Sequence, residues 1–103
     1  MELDEALLQI ENALNIAPPL GATELPRTAR FRVVLLELKS RICPKRVEIK
    51  ARLQSDGGEL TAIIVDTLIT ALSQIPLPLA TVAKRIGTIG LDRFCEQPAK
   101  LLE

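Results

Sequence analysis

The sequence predicts an all-α protein, a compact bundle of about five helices, and three observations predict it. Apolar residues make up 48% of the chain, yet only Phe31 and Phe94 are aromatic, so the core has to be built from Leu, Ile, Val and Ala. Apolar side chains recur at three- and four-residue spacing through most of the chain, which is the period of a buried helix face. Pro and Gly mark the breaks between these stretches. At 103 residues the chain reads as one helical domain over 1–103, able to bury roughly two thirds of the surface its unfolded form exposes.

In "ELDEALLQIENALNIA" (2–17), Leu3, Leu7, Ile10 and Leu14 share one face while Glu5, Gln9 and Glu11 lie elsewhere, which predicts a first helix. "PPLGATELP" (18–26) cannot continue it, because Pro18, Pro19 and Pro26 lack amide hydrogens and restrict the residue before them. From Thr28 to Ile42, the residues Phe31, Val34, Leu35, Leu38 and Ile42 form the stripe of a second helix that Thr28 can cap.

"RVEIKARL" (46–53) is open between two structures. Val47, Ile49, Ala51 and Leu53 alternate with charged residues as in a half-buried strand, which with the "DGG" turn would give a small β-hairpin over 46–65. Alternatively, Pro44 suits a first helical position, and Glu48 with Arg52 makes an i,i+4 pair. Asp56 and Glu59 resemble a capping box for a helix in which Leu60, Ile64, Leu68, Ala71 and Ile75 share a face, and the length of that pattern favours helix. "PLPL" (76–79) then reads as a break, "ATVAKRIG" as a short helix ended by Gly87, and "LDRFCEQPAKLLE" as a last helical segment interrupted at Pro98.

The formal charge is zero, but its distribution is uneven. Residues 1–26 hold five acids and no base, whereas residues 27–53 hold nine bases and two acids. The nine are Arg27, Arg30, Arg32, Lys39, Arg41, Lys45, Arg46, Lys50 and Arg52. Such density fits contact with phosphates, where cations displace condensed counterions, and the shortage of aromatic side chains for base stacking makes any binding tolerant of sequence. These nine are therefore the candidate nucleic-acid contacts, with the backbone of RNA or single-stranded DNA as partner. The bland alternative pairs them with the acidic first helix and with carboxylates elsewhere in the fold.

The segment "RTARFRVVLLELKSRICPKRVEIKAR" in a small helical chain resembles the small helical subunits of CRISPR-Cas effector complexes. That resemblance implies a non-catalytic subunit of a ribonucleoprotein, holding strands by their backbones next to other protein subunits. A second likeness lies in "LATVAKRIGTIGLDRF", which is similar to a helix-turn-helix, although only Arg93 offers a good base-edge donor and Asp92 and Gly90 sit where a recognition helix should run. A third reading is a protein-interaction module, or a self-associating chain, with no nucleic-acid role.

Catalysis has little to work with. No His is present, no GxGxxG or phosphate-loop motif occurs, and Asp4 with Glu5 reads as a helix start, so no enzyme activity, cofactor or metal is expected. Cys43 and Cys95 belong to no CxxC pair and read as buried, inert thiols, with a disulfide or a reactive thiol as the lesser alternatives. The acidic, amphipathic "MELDEALLQI" is unlike a signal peptide, and the apolar runs, "AIIV" at 62–65 among them, are short. A cytoplasmic protein without a membrane partner is expected.

Overall fold

The computed structural model describes residues 2–55, 59–72 and 76–103, the side chains of 55, 71, 72, 76 and 77 excepted. Seven α-helical segments occur among them: α1 (Leu3–Ala13), α2 (Arg27–Arg30), α3 (Arg32–Ile42), α4 (Arg46–Ser55), α5 (Leu60–Leu72), α6 (Pro76–Ile89) and α7 (Leu91–Glu96). Short 3-10 turns span Ala22–Glu24, Cys43–Lys45 and Pro98–Leu102, and no strand occurs among the described residues. The all-α bundle holds.

One continuous cluster of buried side chains runs through the helices, with Leu7, Ile10, Val34, Leu38, Ile64, Leu68, Leu79, Val82, Ile86 and Phe94 fully enclosed. Helix α6 packs most extensively, against α1 on one side and α5 on the other. Gly87 faces α5, where an added Cβ would lie 3.0 Å from Thr61 Oγ1 and that side chain would have to give way.

Helix α1 stops earlier than its prolines require. Asn15 takes a left-handed φ of 56°, and the Ile16 amide donates to the Glu11 carbonyl at 3.0 Å, closing a Schellman-type end. The expected second helix is kinked at Phe31, with φ −102° and ψ 9°, and it starts at Arg27 behind an extended Pro26, so Thr28 is not its cap. The stripe itself is as expected, since Phe31, Val34, Leu35, Leu38 and Ile42 are all buried.

The hairpin over 46–65 is corrected: both flanks are helical. In α4 only Ile49 is buried, while Val47 is 80% exposed, so the alternation that suggested a strand does not correspond to a buried face. The proposed turn and the Asp56 half of its capping box lie outside the described residues. A second correction concerns "PLPL", which begins α6 instead of breaking the chain. Proline costs nothing in a first turn, whose amides have no intrahelical partner, and α6 passes Gly87 to end at Ile89. Gly90 then adopts φ 100°, a conformation that side chains resist, and turns the chain into α7.

The thiol reading is corrected as well. Cys43 and Cys95 form a disulfide across a sequence separation of 52, joining the turn after α3 to α7. The spacing of two cysteines in sequence carries no information on this pairing, because the contact is made by the packing of α7.

Candidate functional site

The basic segment enters the fold as α2, α3 and α4 with the turn between them, and its nine cations do not share one surface. Seven of them meet a carboxylate of the same chain. Arg27 grips Asp4 of α1 through Nε at 3.1 Å and through a second, shorter contact, and its remaining nitrogen donates to the Leu102 carbonyl at 2.9 Å. Arg30 forms a two-pronged bond to Glu11, at 2.8 and 2.9 Å, where Glu11 is 3% exposed. Among the described residues Glu11 is the one buried charged side chain, and its partner is in place.

The other pairs are at the surface. Arg41 reaches Glu37 one turn earlier at 2.9 Å, and Lys45 lies 3.8 Å from Glu48. Lys50 and Arg46 converge on Asp92 of α7 at 2.6 and 3.6 Å, while Arg52 lies 3.4 Å from Asp66 of α5. Each exposed pair is worth roughly 0–1 kcal/mol, and the carboxylates that the other helices bring to the segment offset part of its excess positive charge. A shallow cleft of about 140 Å³ between α4 and α5 is lined by Lys45, Arg52, Glu48 and Asp66, so its charges are balanced.

Two groups among the described residues have displaced acidities. The Glu11 hydrogen bonds, opposed by burial and helped by the Glu11 charge, push the Arg30 guanidinium above its already high value. Asp92 is held below the ordinary aspartate value, chiefly by its hydrogen bond from Lys50, against desolvation and with help from the charges of Lys50 and Arg46. A lowered carboxylate stabilises the fold above its unfolded pKa and loses that contribution as pH falls through the folded one. Asp92→Asn is therefore expected to unfold at lower urea than the parent at pH 7. The two midpoints should converge below about pH 4, where unfolded aspartate takes up its proton, and also in about 1 M salt, where exposed charges are screened.

Arg32 and Lys39 differ from the rest. Among the described residues neither meets a carboxylate; Arg32 is exposed and Lys39 half-buried, both along one rim of the outer side of α3. That side also carries Val33, 53% exposed, and Leu36, 47% exposed, opposite the buried Val34, Leu38 and Ile42. Beside it a groove of about 140 Å³ runs between α3 and the C-terminal 3-10 turn, lined by Thr28, Arg32, Leu35, Leu36, Pro98 and Ala99. Sequence reasoning took the cations and passed over Val33 and Leu36, although their three-residue spacing outside the core stripe was a readable signal.

The helix-turn-helix candidate maps to α6, Gly90 and α7. Helix α7 is six residues long, Phe94 is in the core, and Asp92 is engaged by α4, which leaves Arg93 as its exposed base. Among the described residues no group of three or more metal-ligating side chains occurs, and no helix is long and apolar enough to cross a membrane.

Comparison with family models, curated proteins and solved structures finds no match for the chain. What the fold and the site define is therefore a class: a small all-α protein with a basic segment largely paired within the fold and an apolar patch on α3.

Proposed function

We propose that the chain is a non-catalytic helical protein-interaction module without a nucleic-acid role. The observation that carries this reading is the pairing of seven of the nine segment cations with carboxylates of α1, α3, α4, α5 and α7. Binding through a phosphate backbone gains free energy when protein cations replace condensed counterions, and cations already neutralised within the fold have less to gain. The ribonucleoprotein-subunit reading then rests on Arg32 and Lys39, and the helix-turn-helix reading on Arg93. Neither set supplies the density of cations that backbone binding uses.

The compartment follows from the cysteines. The Cys43–Cys95 bond supports an oxidising compartment instead of the cytoplasm that the sequence suggests, because cytosolic thiols are kept reduced.

Fluorescence anisotropy of labelled single-stranded RNA, single-stranded DNA and duplex DNA, titrated with the protein at about 50 mM salt, tests the proposal in conditions that favour backbone binding. No saturable binding is expected. Binding that falls steeply with salt, and that Arg41→Glu, Lys45→Glu and Arg46→Glu together abolish, would return the segment to phosphates and overturn the module reading.

A further inference from the structure

We infer that the outer face of α3 docks an acidic amphipathic helix of a partner protein, one that presents two carboxylates two turns apart with apolar residues between them. This inference rests on the protein-interaction reading and names the partner's chemistry. Val33 and Leu36 expose about half their surface on one side of a helix whose opposite side is in the core. Arg32 and Lys39 flank them on that same side, seven residues apart, which is about 10.5 Å along an α-helix. They are the two segment cations that no described carboxylate of this chain holds.

Charge complementarity selects the occupant. A partner helix with Glu at positions i and i+7 repeats the Arg32–Lys39 spacing, and Leu at i+3 and i+4 covers Val33 and Leu36 and enters the groove beside Pro98 and Ala99. A second copy of this chain does not offer that pattern on its most acidic helix. In α1 the exposed Leu8 has Glu5 one turn before it, whereas Asp4 is held by Arg27 and Glu11 by Arg30. A nucleic-acid strand would carry its charge along the backbone and not in the Glu-x-x-Leu-Leu-x-x-Glu arrangement that this face matches.

The test uses the full chain and a helical peptide of about four turns containing Glu-x-x-Leu-Leu-x-x-Glu, followed by amide NMR shifts at low salt. Saturable shifts confined to α3 and to Pro98's neighbours are expected, with affinity falling at least tenfold for Leu36→Asp and for Arg32→Glu with Lys39→Glu. These side chains are exposed or half-buried at the surface, and unchanged thermal unfolding of the variants certifies their folds. A peptide with Lys in place of both Glu should bind the doubly reversed variant and not the parent. Three results overturn the inference: no shifts at millimolar peptide, equal binding by both peptides, or self-association in sedimentation that Leu36→Asp abolishes. Failure of the peptide alongside silence from nucleic acid removes this face alone, whereas nucleic-acid binding in the anisotropy titration removes the interaction reading itself.

Discussion

Replacing Glu11 by Ala is expected to destabilise the protein by about 3–5 kcal/mol, because it strands the Arg30 guanidinium where only 14% of its side chain meets solvent. For a chain of this size each kcal/mol moves the unfolding midpoint by roughly 4–8 °C, so a fall of at least ~12 °C should be seen by calorimetry. The cause would be an uncompensated buried charge and not a lost attraction. The double variant Glu11→Leu, Arg30→Met should therefore recover most of the loss, and a double-mutant cycle should show strong coupling between the two positions. Two additive single effects would refute this account. The pair brings no titration of its own through Arg30: a raised folded pKa supports the fold below the unfolded value and fails only as pH rises past both, which lie above the range where the protein is handled.

The second large effect belongs to the disulfide. A bridge across 52 residues restricts the unfolded chain enough to contribute about 4 kcal/mol on the chain-entropy account. Urea unfolding of the intact protein should move to markedly lower denaturant after reduction by a dithiol, and the Cys43→Ala, Cys95→Ala variant should match the reduced protein. Alkylation under denaturing conditions should label no thiol before reduction and two after it. Equal unfolding midpoints with and without reductant would show that packing of α7 alone fixes this end of the bundle.

The helical elements were legible wherever one face of the helix is buried and the other is not. In α3 every residue of the expected stripe is in the core, because sequence period and burial coincide. In α4 they do not: Ile49 is buried, Val47 and Ala51 are exposed, and the helix is held partly by Lys50 and Arg46 on Asp92. A helix anchored by ion pairs from a distant element leaves no apolar period to read. The break expected at Pro76 failed for a different reason, since a proline that opens a helix and one that ends it look alike until the amide pattern is known.

The candidate site was legible as a charge count and not as a surface. Nine cations in one stretch are visible in sequence, but their partners Asp4, Glu11, Asp66 and Asp92 come from elements that only the fold brings to them. Arg32 and Lys39, which meet no carboxylate among the described residues, could not be separated from the other seven without those positions. The disulfide was hidden in the same way, because Cys43 and Cys95 become neighbours only when α7 packs beneath the basic segment.

Arg27 has a wider meaning than its pair with Asp4. One guanidinium bonds Asp4, three residues from the start of the chain, and the carbonyl of Leu102, one residue from its end. The first helix and the last turn are thus side by side, and the order of helices along the chain is separable from their arrangement in space. A change at Arg27 is therefore felt in both elements at once, since a single side chain of α2 ties them.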